Sequence, residues 1–156
     1  EAFKSLSPND FSFDDLQYAN SNLLILSGLY GVLKPLDRIM TYRLEMRNQV
    51  KFWKDPITEY IKNETENSII VDLCSSEYSK AINFNNIKST IITPDFKSLI
   101  NGKLKSISVF SKQMRGLLAK EIILNRVKTE EELQKIDLEG YTLENITNKN
   151  YLYVRK

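Results

Sequence analysis

Leu23–Met46, with the sequence LLILSGLYGVLKPLDRIMTYRLEM, decides how this chain is organised. The segment opens with the apolar run Leu23–Leu26, which predicts a buried strand. Gly28 and Gly31 follow it, and glycines at this spacing suit a tight turn or the close approach of another group. Tyr42–Met46 then alternates polar and apolar side chains, which is the period of a half-buried strand. We therefore expect a strand, a glycine turn and a second strand.

Before and after this segment, sequence patterns that predict strands alternate irregularly with patterns that predict helices. A helical apolar face lies between residues 50 and 65, and we expect its helix to start near Asp55 because Pro56 suits a first turn. Ser12 with Asp15 and Thr129 with Glu132 have the pattern of helix N-caps. Apolar runs and an Asn101-Gly102 turn signal predict further strands at 68–74, 90–93, 103–110 and 151–154. We expect Pro94 to end the strand at 90–93.

The order of these elements predicts the fold class. Strands and helices are mixed along 1–156 without the strict alternation of a βαβ protein, and no linker interrupts them. The residue count is enough for one hydrophobic core. We therefore predict one α+β domain over residues 1–156, with a mixed sheet and packed helices.

The composition excludes several kinds of site. The 156 residues include no histidine, which is the commonest general base and metal ligand, and a single cysteine, Cys74. We therefore expect no metal site, no cofactor and no Ser–His catalysis. One cysteine also excludes an internal disulfide and suits the reducing cytoplasm, where we expect the protein. No apolar run is long enough to cross a membrane.

Positive charge is concentrated in one segment, although the net charge is only +2. Residues 103–128 contain a single acidic side chain, Glu121. A block of this kind can attract a polyanion. Its seven basic side chains are Lys103, Lys105, Lys112, Arg115, Lys120, Arg126 and Lys128.

The same segment predicts a long apolar helix over 111–127. At about 100° per residue, Lys112, Arg115 and Arg126 fall within an arc of about 60°, while most other positions are apolar. This cationic edge is either a solvated face of a buried helix or a surface that contacts phosphates of a nucleic acid. In the second case Lys112, Arg115 and Arg126 would bind the phosphates, with Lys34 and Arg43 as further candidates.

A pocket for a small ligand is the alternative site. Polar residues that follow a buried strand are typical of α/β active sites, and such a pocket would hold a phosphorylated or nucleotide-like molecule. A tight turn and a helix N-cap would explain the same residues more simply. No residue is assigned a catalytic role, and a binding protein is favoured over an enzyme. The candidate pocket residues are Ser27, Gly28, Tyr30, Ser75, Ser76 and Lys80.

Five segments together resemble the signature of the YaaA family of bacterial peroxide-stress proteins. They are Ser27–Asp37, Tyr42–Met46, Asp72–Tyr78, Lys112–Gly116 and Glu139–Tyr141. Because these segments extend over almost the whole chain, the resemblance is far more specific than a lone pair of glycines.

The resemblance implies a protein of the oxidative-stress response that protects DNA and limits damage by intracellular iron. DNA would be bound through its backbone and hence without sequence preference. No residue here is an obvious iron ligand, so the link to iron homeostasis is expected to be indirect. Members of the family are longer, and we expect this chain to be a C-terminal portion whose partners include the missing N-terminal segment. A homo-oligomer is a further possible assembly.

Overall fold

Six α-helices and seven β-strands make up the chain, which confirms the predicted α+β class. The computed structural model describes every residue from 1 to 156. The helices are α1 (Ala2–Leu6), α2 (Phe13–Asn22), α3 (Val50–Glu64), α4 (Ser76–Ser79), α5 (Ser108–Leu124) and α6 (Glu130–Gln134). The strands are β1 (Ile25–Ser27), β2 (Gly31–Leu33), β3 (Ile69–Val71), β4 (Thr90–Ile100), β5 (Lys103–Lys105), β6 (Thr142–Thr147) and β7 (Asn150–Arg155). None of the helices combines the length and the apolar character that crossing a bilayer requires.

The residues form two compact units. The first contains Glu1–Asp15, Val71–Leu73 and Ile92–Lys156, and the second contains Leu16–Ile70 and Cys74–Ile91. Each unit has its own cluster of buried apolar side chains. The single domain over 1–156 stays a prediction.

A mixed sheet in the order β3-β4-β7-β6, with β5 paired to β4, is the larger of two sheets. Strands β4 and β7 are parallel, whereas β4–β5 and β6–β7 are antiparallel. In the first unit, Met114 and Leu118 of α5 pack with Phe96 of β4 and Tyr153 of β7. These side chains form the core of that unit.

The face of β4 that packs on α5 is set by its alternation. Phe96 and Ser98 are buried, while Lys97 between them is only half-buried. In register, Phe96 lies beside Tyr153, and the two rings stack with centroids 5.3 Å apart. Because residues in register share a face, every second residue of β4 and its partners on β5 and β7 face α5.

Strand β4 is longer than the predicted strand at 90–93, which Pro94 was expected to end. The strand continues through Pro94 to Ile100. The amide of Thr93 donates to Lys149 on the β7 side, so the nitrogen of Pro94 points to the other side of the strand. On that side Asp72 still donates to the carbonyl of Ile92, and the pairing with β3 ends where Pro94 has no N–H to donate.

The Asn101-Gly102 hairpin is confirmed, but the elements after it begin and end elsewhere than predicted. Both turn residues have positive φ, 50° and 74°, as a two-residue hairpin turn requires. The strand ends at Lys105 instead of Phe110, because α5 already begins at Ser108. This helix ends at Leu124, so the predicted helix over 111–127 is wrong at both ends.

The second unit contains the hairpin of β1 and β2, in which Ser27 pairs with Gly31 across a three-residue turn. The predicted first strand is confirmed with shifted bounds. Tyr42–Met46 is not a strand, because it has no partner strand and Met46 begins a 3-10 turn, Met46–Asn48.

Helix α3 begins at Val50 and not near Asp55, so Pro56 lies inside the helix. A proline there removes one main-chain hydrogen bond, to the carbonyl four residues earlier. Both Pro56 and Phe52, which carries that carbonyl, are exposed, so water can replace the lost donor. The N-caps at Ser12 and Thr129 are confirmed by hydrogen bonds from Asp15 and Glu132.

Candidate nucleic-acid interface

Helix α5 is buried along two stripes. Met114 and Leu118 face the sheet, whereas Gly116 faces α1. A Cβ at Gly116 would overlap the carbonyl of Ala2, so only glycine permits this close approach of the two helices. At about 100° per residue the two stripes lie on nearly opposite sides of α5, which leaves a seam open between them.

Lys112 and Arg115 lie on this seam. Lys112 is exposed and Arg115 is half-buried, with Ala119 one turn further along. Neither cation forms an ion pair, and neither donates a hydrogen bond to another side chain. Two of the three cations predicted for the cationic edge, Lys112 and Arg115, therefore lie on the same seam, where an anion can reach them.

Arg126 does not belong to the seam. It follows the end of α5 with a positive φ of 52°, and its guanidinium donates to the carbonyl of Ile123. A second nitrogen pairs with the carboxylate of Asp15 at 2.7 Å. The prediction that Arg126 shares one edge of the helix with Lys112 and Arg115 is wrong, because α5 ends two residues earlier, at Leu124. Arg126 caps the helix and neutralises Asp15.

The carboxyl of Asp15 is held ionised by its surroundings. A hydrogen bond from the Ser12 hydroxyl is the main cause of its lowered pKa, followed by the Ser12 main-chain amide and Arg126. The same contacts form the N-cap of α2. This carboxylate therefore serves the fold.

Lys34 and Arg43, both in the second unit, differ in their pairing. The ammonium of Lys34 lies 3.1 Å from the carboxylate of Glu64, and the hydrogen bond between them raises the pKa of Lys34. Arg43 is exposed and forms no ion pair. Of these two further candidates, only Arg43 has an uncompensated charge.

Most of the basic block remains uncompensated. Among its seven cations, Lys120 pairs with Asp10 at 3.3 Å and Arg126 pairs with Asp15. The other five form no ion pair with the protein's own carboxylates. They are Lys103, Lys105, Lys112, Arg115 and Lys128.

The glycine turn uses its polar groups internally. The buried Ser27 hydroxyl accepts from the amides of Leu29 and Tyr30 and bonds with the hydroxyl of Tyr42. The carbonyl of Gly28 accepts from the indole N–H of Trp53 at 2.8 Å. The turn is thus fixed by side chains from two later segments.

The two glycines of this turn are required by packing. A Cβ at Gly28 would overlap the carbonyl of Leu44, and one at Gly31 would lie 2.6 Å from the ring of Trp53. Gly31 also has a φ of 75°, which favours glycine. These contacts explain the glycines as parts of a tight turn.

The ligand pocket of six residues stays a prediction. Tyr30 borders a shallow depression of about 190 Å³ whose other walls are mostly apolar. Ser75 precedes α4, where its carbonyl accepts from Tyr78 and Ser79, and both Ser76 and Lys80 are exposed. The remaining walls of the depression are Val32, Trp53, Pro56, Ile57 and Tyr60.

No group of three or more His, Cys, Asp or Glu side chains is arranged to hold a metal ion. Several carboxylates form ion pairs with lysine or arginine instead. In one of these pairs, the carboxylate of Glu130 lies 2.7 Å from the ammonium of Lys149. The hydroxyl of Tyr151 also donates to Glu130, and the Lys149 ammonium is the main cause of the lowered pKa of this carboxyl.

Arg155, in the first unit, is a cation that the sequence analysis did not predict as a site residue. Its guanidinium lies 5.1 Å from the centroid of the Phe110 ring in the first turn of α5. The strand at 151–154 was predicted, but its parallel register with β4 could not be read from the chain, and the register alone brings Arg155 to this helix.

Comparison with known proteins identifies the family. A sequence profile described as "Peroxide stress protein YaaA" matches residues 1–147. The chain belongs to the YaaA family. The five signature segments found in the sequence all lie within the matched residues, so the resemblance is confirmed.

Relatives in several bacteria carry the name UPF0246 protein. One from Colwellia psychrerythraea is 37% identical over an alignment that covers 100% of this chain and 66% of the relative. One from Marinomonas is 43% identical over 90% of this chain and 58% of its own length. One from Clostridium botulinum is 41% identical, over 97% and 65%. The chain thus spans slightly less than two thirds of the length of these YaaA-family relatives.

Proposed function

We propose that this chain is the part of a peroxide-stress protein that holds the phosphate backbone of DNA. The seam of α5 would be the central contact, with Lys112 and Arg115 binding phosphates. In the second unit, considered by itself, Arg43 would be a separate candidate contact, because it is exposed and forms no ion pair. Arg126 and Lys34 are omitted from the proposed interface because carboxylates of the chain already neutralise them.

The observation that carries the proposal is the uncompensated charge of residues 103–128. A protein that used these cations only for solubility could pair them with its many carboxylates, as it does for Lys120. Instead, five of the seven form no ion pair, and two of these, Lys112 and Arg115, lie on the seam between the two buried stripes of α5. Lysine and arginine side chains without a carboxylate partner can neutralise phosphates of a nucleic acid. This binding is favourable because it releases the counterions that were bound to the phosphates.

The family supports the physiological side of the proposal. The matched family is described as a peroxide stress protein, and DNA is a target that such a response would protect. We infer a role in which the protein covers DNA during oxidative stress in the cytoplasm. A link to iron homeostasis would then be indirect, through protection of the polymer that iron-derived oxidants damage.

Fluorescence anisotropy of a labelled duplex tests the proposal. The variant Lys112→Gln/Arg115→Gln removes both seam cations, and we expect its affinity to fall by about tenfold or more at moderate salt, since each lost charged contact costs about a factor of several. Wild-type protein should bind duplexes of different sequence with nearly equal affinity.

The matched control is Lys51→Gln/Lys88→Gln, which removes the same charge from two exposed lysines of the second unit. This control should bind the duplex almost as tightly as the wild type. Equal losses in the two double variants would show that only net charge matters and would overturn the assignment of the seam. No binding by the wild type would overturn the proposal as a whole.

A further inference from the structure

The first turn of α5 lacks any internal partner for its amides. The residue before it, Ile107, has no side-chain acceptor, and the first turn contains no acidic residue. The amides of Ser108, Val109 and Phe110 point out of the helix without a bond from the helix itself. Such amides, with the positive end of the helix dipole, favour an anion, although they do not define a site alone.

One cation, Arg155, reaches this turn from the sheet, and a second, Lys105, lies in the same row of the strand register. Arg155 lies over Phe110, and its strand neighbour in register is Ser98. On the other side of Ser98, the register partner is Lys105. The three residues form a row across β5, β4 and β7 on the face that packs on α5, with the two cations about 10 Å apart at the backbone. Neither cation forms an ion pair.

A buried hydroxyl at the centre of the row has no partner. Ser98 is 7% exposed, and its Oγ makes no hydrogen bond. Its side chain faces α5, as does that of Phe96 two residues earlier, whose carbonyl accepts from Ser111 of the helix. An unpaired buried hydroxyl carries a free-energy cost, and a ligand that accepts its proton would remove that cost.

We propose that the start of α5 and the row Lys105–Ser98–Arg155 form a site for a phosphate group. The amides of Ser108–Phe110 and the hydroxyl of Ser98 donate hydrogen bonds to its oxygens. Arg155 presents two parallel N–H donors, and Lys105 adds a point charge. The site uses none of the residues of the α5 seam.

The phosphate has two possible sources with the same chemistry: a free phosphate monoester or inorganic phosphate, and a phosphodiester of a nucleic acid. In the second case the site extends the proposed function, because it adds an anchored phosphate beyond the seam. In the first case it is independent of DNA.

Backbone amide spectra by ¹H–¹⁵N NMR test the site with inorganic phosphate as the probe. We expect saturable shifts of the Ser108, Val109 and Phe110 amides in the wild type. In Lys105→Gln/Arg155→Gln the phosphate affinity should fall by about tenfold or more, because two charged contacts are lost. Absence of these shifts in the wild type, or undiminished shifts in the double variant, would overturn the site.

Ser98→Ala provides a second variant that leaves the charges intact. It should weaken phosphate binding by a factor of a few while leaving the free energy of unfolding unchanged or raised, since it deletes an unpaired buried hydroxyl. An unchanged phosphate affinity would remove Ser98 from the site and contradict the proposed geometry.

The seam variant Lys112→Gln/Arg115→Gln separates this inference from the proposed function. It should retain the phosphate shifts at Ser108–Phe110 although it binds duplex weakly. If this variant binds the duplex as tightly as the wild type and still shows the phosphate shifts, the phosphate site is supported and the seam is rejected as the DNA contact.

The source of the phosphate is tested with the wild type. Duplex-induced shifts at Ser108–Phe110 that are reversed by added phosphate would identify the source as a phosphodiester. Phosphate shifts without duplex shifts would identify a free phosphate.

Discussion

At the scale of single residues, the signature segment Ser27–Asp37 is held in place by side-chain contacts to its backbone. Ser27 fixes the amides of the turn after β1, and Trp53 fixes the carbonyl of Gly28. The sequence predicted a turn at Gly28 and Gly31 because glycine marks such positions. It could not predict that an indole from α3 fills the space beside Gly31, since that contact depends on tertiary packing.

Gly31→Ala tests this packing. The added methyl would meet the Trp53 ring at a backbone angle that already disfavours alanine, so we expect a loss of about 3 kcal/mol or more in the free energy of unfolding. Gly102→Ala is the matched control, because Gly102 has nearly the same φ, 74°, and open space around it. It should cost only about 1 kcal/mol. Urea unfolding measures both, and equal losses would contradict the account.

The Asp15 contacts predict a dependence of stability on pH. The folded-state pKa of Asp15 lies below its ordinary 3.8, so its contribution is present above that pH and disappears as pH falls through the folded-state pKa. Asp15→Asn should therefore destabilise the protein at pH 7 and differ progressively less from wild type below pH 3.8. Thermal unfolding across pH measures the difference.

Asp14→Asn is the control for this titration, because Asp14 lies in the same first turn of α2 but is exposed and forms no ion pair. It should change stability little at any pH. A loss for Asp15→Asn that stays constant down to the lowest pH would show that the hydrogen-bond geometry, and not the charge, is responsible.

At the scale of elements, periodicity predicted α5 but not its ends. Its apolar character identified a buried helix, and the Asn101-Gly102 turn located the hairpin before it. The first and last residues of α5 depend on features that periodicity does not encode. Strand β5 is short, so the helix can begin at Ser108, and Arg126 caps its last turn through the carbonyl of Ile123. The effect of Pro94 likewise depends on tertiary structure, because the strand continues through a proline on the side that does not need its N–H.

The contact of α1 with α5 predicts an effect of Gly116→Ala. The methyl would overlap the carbonyl of Ala2, so α1 must move away while the rest of the first unit keeps its core. The amides of Ser5 and Ser7 donate to the carbonyls of Glu1 and Phe3, and their hydrogen exchange should become faster by about tenfold or more, as expected when a packed helix detaches.

Ala119→Ser is the control on the same helix, because Ala119 lies on the open seam and not beneath α1. Exchange at Ser5 and Ser7 should remain at the wild-type rate. If Gly116→Ala leaves these rates unchanged as well, the close approach of the two helices is not what protects α1.

At the scale of the whole molecule, the distribution of charge is more informative than its sum. The net charge of +2 gives no indication of a polyanion partner, whereas the pairing pattern leaves five cations of one segment uncompensated. The sequence predicted the basic block from composition, but pairing of Arg126 with Asp15 joins residues 111 positions apart and needed the structure. A homo-oligomer stays a prediction.

The most direct test is the salt dependence of duplex binding, which counts phosphate contacts. The logarithm of affinity should fall linearly with the logarithm of salt concentration, by about 0.9 for each phosphate neutralised. For Lys112→Gln/Arg115→Gln we predict a slope shallower by about two than that of the wild type, while Lys51→Gln/Lys88→Gln keeps the wild-type slope. A seam variant whose slope equals that of the wild type would contradict the claim that Lys112 and Arg115 are held open for a nucleic acid.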